Sequence, residues 1–182
     1  MDIRPAWVFF AIAAWLPLQT LHADQVDEIL NYREYSATLA SAGQPSEAQL
    51  GDAAGAGFER VVFLAFSDHE RALAHEDRIV RDLGMEYVHI PVIWGAPHSN
   101  DFYAFAGAMQ REKDRKTLVH CELNFRASSF TLLYRVLYLD VPLADAIDDL
   151  TAVWIPSDTW RQFIFSTLEE NGVSPHCDEC LW

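Results

Sequence analysis

The stretch TLVHCELNFRASS, residues 117–129, constrains this chain more than any other. Thr117, Leu118 and Val119 form a short apolar, partly β-branched run with the pattern of a buried strand, which His120 and Cys121 end. Asn124 and Arg126 follow in a short loop, and Ser128 opens the apolar run FTLLYRVLYL, which reads as a helix. A strand, a cysteine loop and a helix start in that order put a thiol where backbone N–H groups converge and the helix dipole is positive. Such surroundings favour thiolate over thiol and attract an oxyanion. An arginine five residues after the cysteine can fold back and hold that anion through two N–H groups. The chemistry this suggests is attack of a thiolate on phosphorus, through a cysteinyl-phosphate intermediate.

His-Cys, a short loop, Arg, then Ser at a helix start resembles the signature of cysteine-dependent protein tyrosine and dual-specificity phosphatases. The usual loop there has five residues between cysteine and arginine; this chain has four, Glu122, Leu123, Asn124 and Phe125. The family's left-handed glycine falls on Asn124, the next most tolerant residue type. Its hydroxyl falls on Ser128, while the arginine stands one place early, with Ala127 in its usual position. GQPSEAQL, GFERVVFL and GMEYVHIPVIW precede the loop in the family's order, so the resemblance spans roughly residues 36–168. It is nearest a compact bacterial branch, some of whose members share the short loop and an export signal. The resemblance implies Cys121 as nucleophile, the amides of Glu122, Leu123, Asn124, Phe125 and Arg126 as the phosphate cradle, and His120 as the residue orienting the loop. It also implies that Ser128 assists thiolate departure, with no metal or cofactor required.

The family draws its general acid, an aspartate, from the loop after the strand ending Ile-Pro-Val. Here that loop reads IWGAPHSND, with no aspartate near Trp94; Asp101 is the first candidate and His98 the second. Each also has an ordinary reading, Asp101 as a helix-start carboxylate and His98 as an exposed loop residue. The expected consequence is a slow phosphatase, or one restricted to good leaving groups.

Along the chain, residues 26–32 read as a short helix and 35–39 as a first edge strand. Gly43-Gln44-Pro45 is a turn, and Ser46 with Gln49 begins a helix as a capping box. A central strand is expected over 60–66, an amphipathic helix over 68–83 closed by Gly84, a strand over 86–92, and a helix over 101–112. After the cysteine segment, Pro142 and Ser157 open two more helices. Strands alternating with helices predict an α/β fold with a mainly parallel central sheet covered on both faces, the three-layer arrangement the resemblance also implies. The cysteine loop then lies at a strand's C-terminal end, where such sheets bind ligands. Asp68, His69, His75 and Glu76 are read as the solvated face of one helix, not a metal site, and Arg135 as a salt-bridging or surface residue.

Residues 1–23 have the layout of a secretory signal: Arg4, the apolar run AWVFFAIAAWLPL, then a small residue, Ala23, at the cleavage point. The expected organisation is a signal peptide over 1–23, a phosphatase-like domain over 24–170, and a tail over 171–182, in a protein exported to the periplasm or secreted. With 182 residues, 51% of them hydrophobic, the chain can bury one substantial core. Its net charge of −14 argues against a nucleic-acid or anionic-membrane partner and means that any phosphate site must be local. Cys177 and Cys180 in the tail admit a local disulfide, a metal site, a redox pair or a loose end, and a mixed bond to Cys121 as a switch.

The reading is thus a phosphate-monoester hydrolase acting on a phosphorylated protein or small phosphomonoester. Two alternatives stay open. A rhodanese-like sulfurtransferase also uses a short cysteine loop, with a Cys121 persulfide; a non-catalytic phosphatase homologue would bind a phosphorylated partner without turnover.

Overall fold

The computed structural model describes residues 26–178, 180 and 182; the expected signal segment, residues 1–23, lies outside them. The described residues form a five-stranded sheet in the order β1-β2-β5-β3-β4. The strands are β1 (Arg33–Ser36), β2 (Leu39–Ala42), β3 (Arg60–Phe63), β4 (Glu86–His89) and β5 (Thr117–His120), of which only the β1–β2 pair is antiparallel. The helices are α1 (Glu47–Gly55), α2 (Glu76–Asp82), α3 (Ser99–Arg111), α4 (Phe125–Tyr138), α5 (Leu143–Thr151) and α6 (Asp158–Glu170).

Because side chains alternate along a strand, each buried strand feeds two cores. Ala40, Ala42, Val61 and Leu118 pack with Leu50 and Ala53 of α1 and Val80 of α2 on one face. Leu39, Val62 and Val119 pack with Phe102 and Phe105 of α3, Phe130 and Leu133 of α4, Ile147 of α5 and Trp160 of α6 on the other. The α/β expectation with helices on both faces therefore holds. The central strand is β5, hydrogen-bonded between β2 and β3, so the cysteine that follows it leaves from the middle of the sheet.

Several elements differ from the sequence expectation. Residues 26–31 are successive turns and not a helix: the segment is too short to stabilise one, and Asn31 at φ 53° closes it in the left-handed region. The expected edge strand over 35–39 is split: Tyr35 and Ser36 end β1, Ala37 and Thr38 form the turn, where Thr38 N donates to Ser36 Oγ at 3.2 Å, and Leu39 opens β2. The predicted helix over 68–83 forms only as α2, preceded by the turns of residues 64–75, with His75 left-handed at φ 59°. Helix α4 begins at Phe125, three residues before Ser128, so Arg126 belongs to its first turn.

Other signals translate directly. The Ser46/Gln49 capping box forms with both of its hydrogen bonds, and Gly84 follows α2 at φ 82°. Arg135 is buried and salt-bridges Asp149 at 2.8 Å, its guanidinium 4.6 Å from the Tyr35 ring centroid. Burial pushes the Glu86 carboxyl upward, but Arg60, Arg115 and Arg111 around it outweigh that and hold it below its ordinary range. Cys177 and Cys180 form a disulfide with Cα atoms 5.1 Å apart, leaving Cys121 as the free cysteine. No helix of the described residues is long and apolar enough to cross a membrane.

Candidate active site

Cys121 is almost wholly buried, and its N–H donates to Ala42 O at 3.3 Å, which carries the β2–β5 pairing one residue past the strand. The chain then turns through Asn124, left-handed at φ 69°, straight into α4. Glycine is the default there and asparagine the next choice, so the expectation for Asn124 is met by its backbone. Asn124 Nδ2 donates to Asn31 O at 2.6 Å and Asn31 Nδ2 donates to Leu123 O at 3.0 Å, a reciprocal clamp on the loop. Gly43 lies against the same loop: a Cβ there would stand 3.0 Å from Glu122 O, and Gln44 N donates to that carbonyl at 3.1 Å. The amides opening α4 have no acceptor within the helix and are its natural anion donors.

His120 anchors this loop from beneath. Its ring stacks on Phe63, with centroids 4.7 Å apart, and its Nε2 is 2.7 Å from Glu76 Oε1. Glu76 Oε2 accepts from Gln44 Nε2 at 2.6 Å, so one buried carboxylate joins the GQPS turn to the cysteine strand. Glu76, read from sequence as part of a solvated face, is instead in the interior. Its α2 position brings it there because the preceding residues do not continue the helix.

Arg126 is also buried. Its Nε donates to Val92 O at 3.0 Å, its Nη1 donates to Glu122 Oε1 at 3.3 Å, and its guanidinium lies 5.3 Å from the Trp94 ring centroid. Trp94 is fixed in turn by Trp160 Nε1, which donates to Trp94 O at 3.0 Å, and by its packing against Phe125 and Trp154. A cavity of about 400 Å³ opens here, lined by His69, Trp94, Cys121, Glu122, Leu123, Phe125 and Arg126. Cys121 and Arg126, four residues of loop apart, thus face one space.

The other expected residues lie elsewhere. Ser128 is buried in the first turns of α4, its hydroxyl donating to Phe125 O at 3.2 Å. Asp101 sits in the first turn of α3 and is not on the cavity wall. His98 caps α3 through its ring, which accepts from Asn100 N at 3.2 Å, and lines a separate hollow beside α6 with Ala96, Pro97 and Thr159. The residue that sequence reasoning missed is His69. Its Nε2 lies 2.9 Å from Glu122 Oε2, and it reaches the cavity from the turns after β3. The polar cluster Ser67-Asp68-His69 was the available signal, hidden by reading the segment as a helix face. Among the described residues no group of three or more His, Cys, Asp or Glu could hold a metal ion.

No family model matches the chain, and no curated protein matches it. Solved structures do. The DUF442 protein of Shewanella putrefaciens CN-32, whose phosphatase assignment is itself provisional, is 29% identical with a TM-score of 0.74, the match covering 81% of this chain and 97% of that one. Tk-PTP in its active form matches at a TM-score of 0.65 and 18% identity, over 77% of this chain and 97% of that one. Kinase associated phosphatase, with its catalytic-site cysteine replaced by serine, matches at 0.64 and 14% identity, over 73% of this chain and 86% of that one. The last two likenesses speak for the fold alone; the first adds sequence similarity over nearly the whole of its relative. The fold is therefore that of cysteine-dependent tyrosine and dual-specificity phosphatase-like structures, and the likeness to the DUF442 protein supports the family resemblance that the sequence motifs carry.

Proposed function

We propose that the protein hydrolyses phosphate monoesters through a cysteinyl-phosphate intermediate on Cys121. The observation that carries this reading is that Cys121 and Arg126 share one cavity at the junction of β5 and α4. The likeness to phosphatase structures supports the same reaction class. A phosphoryl group entering the cavity meets the amides from Glu122 to Arg126 and the positive end of α4. Nε of Arg126 is held by Val92 O, so its Nη1 and Nη2 remain as the fork for two phosphate oxygens once Nη1 exchanges Glu122 for the ligand. The short loop is compatible with this grip because the arginine stands on the helix itself, its guanidinium over Trp94. The Cys121 thiolate attacks phosphorus, the ester oxygen leaves, and water then releases phosphate. A phosphorylated protein and a small phosphomonoester are both substrates of this chemistry, and a periplasmic or secreted location accords with the N-terminal signal pattern.

The test is hydrolysis of an aryl phosphate under reducing conditions by the protein and by Cys121→Ser. Turnover abolished in the variant is the expected result. Sulfur transfer from thiosulfate to cyanide in place of phosphate release would establish the sulfurtransferase alternative. Vanadate binding without turnover in either assay would make the protein a phosphate-binding homologue.

A further inference from the structure

Cleaving a phosphate ester leaves an alkoxide unless a proton reaches the departing oxygen, and the donor must reach the space that holds the nucleophile. On the wall of the Cys121 cavity the other side chains able to exchange a proton are His69 and Glu122, since arginine stays charged. Hydrogen bonding decides which of the two takes an incoming proton. Arg71 N donates to His69 Nδ1 at 3.1 Å, so that nitrogen is an acceptor. The ring is then the neutral tautomer with its hydrogen on Nε2, which it gives to Glu122 Oε2 at 2.9 Å. Glu122 Oε1 accepts from Arg126 Nη1. The lone pairs left for a further proton are those of the Glu122 carboxylate.

We infer that Glu122 is the proton donor and acceptor of the reaction, and that His69 is a positioning residue that holds its carboxyl at the cavity. The inference rests on the cysteinyl-phosphate reading of the site. When the ester binds, its phosphoryl oxygens displace Glu122 from Arg126 Nη1. A carboxylate beside a phosphoryl anion is favoured in its protonated form, because neighbouring like charges oppose double ionisation. An ester that binds as its monoanion brings the proton with it. In the first step the thiolate pair of Cys121 forms the S–P bond, the P–O bond breaks with its pair on the leaving oxygen, and that oxygen takes the Glu122 proton. The products are a neutral alcohol, the cysteinyl phosphate and the Glu122 carboxylate. In the second step water oxygen bonds to phosphorus, Glu122 takes a proton from that water, and the S–P bond breaks to return the thiolate with inorganic phosphate. One residue serves both steps because the second is the first reversed, with water in place of the alcohol.

The experiment is kcat/KM for a series of phosphate monoesters, from activated nitrophenyl to simple alkyl leaving groups, with the wild-type protein, Glu122→Gln, His69→Ala and His69→Gln. Glu122→Gln is expected to lower the alkyl ester by about 100-fold, within the span of general acid catalysis, and the activated ester by far less. His69→Ala shifts the series in the same direction and His69→Gln restores it, since its amide can donate to Glu122 as the ring does. The ratio between esters is internal to each variant, so a partly unfolded preparation does not mimic the effect. An equal loss across the series for Glu122→Gln, or an equal gain, would overturn the assignment while leaving the nucleophile in place. Turnover that survives Cys121→Ser would instead remove the reading beneath it, and the assignment with it.

Discussion

Two connections leave the C-terminal ends of the adjacent strands β3 and β4 and reach the same cavity, yet they bring opposite things to it. The turns of residues 64–75 carry a titratable ring, His69, to the cysteine loop and end at Glu76, buried beneath His120. Residues 90–98 bring a backbone carbonyl, Val92 O, and an aromatic face, Trp94, both against Arg126. The first connection holds charge in place; the second builds a wall. The phosphatase resemblance places the acid on the β4 side, and in this chain that side has an indole at the cavity while His98 and Asp101 belong to the start of α3. A shared fold preserves where loops arrive, not which of them carries the proton.

The comparison can be broken first at Glu76. Glu76→Leu removes the carboxylate from His120 and Gln44, leaving the buried His120 Nε2 unpaired and Gln44 Nε2 with only Pro45 O. Urea unfolding should show a loss of about 3 kcal/mol, the low end for breaking a buried pair. A loss under about 0.5 kcal/mol, the size of an ordinary surface change, would mean that the β3 side does not anchor the cysteine strand through this residue. Next comes the wall: Trp94→Ala takes away the face over which the Arg126 guanidinium lies and the packing with Phe125 and Trp154. A fall in kcat/KM of about tenfold is expected, corresponding to ~1.4 kcal/mol, the size of a partly desolvated cation–π contact. An unchanged kcat/KM would show that Val92 O alone orients the arginine. The smallest effect sharpens the contrast. Asp101→Asn should cost about 0.5 kcal/mol of stability by removing a charge from the first turn of α3, and leave kcat/KM within about twofold. A steep loss confined to poor leaving groups in that variant would return the acid to the β4 side.

The parts legible in sequence are those whose cause is local. The unbroken apolar pairs Leu118-Val119 and Val61-Val62 announce strands buried on both faces, and the Ser46/Gln49 spacing announces a helix start. Asn124 announces a left-handed turn, because few other side chains tolerate one. Where competing local signals were close in strength, the reading slipped. Charges at helical spacing over residues 68–83 suggested one long helix, but seven residues of it form, and the turns before them carry His69 elsewhere. The apolar residues at 26–32 suggested a helix, but they bury Val26 and Ile29 as turns that present Asn31 to the cysteine loop.

By itself the sequence determined that this is an α/β chain with a cysteine-bearing loop between its strand and its helix, since Cys121, Asn124 and Arg126 are neighbours in the chain and their geometry follows from short-range backbone rules. Tertiary structure alone decided what surrounds that loop: Glu76 under His120, Asn31 against Asn124, His69 on Glu122, Trp94 over Arg126. Each of those pairs joins residues far apart in the chain, and the order in which the parallel strands assemble, with β5 between β2 and β3, is what brings them within hydrogen-bonding or stacking range.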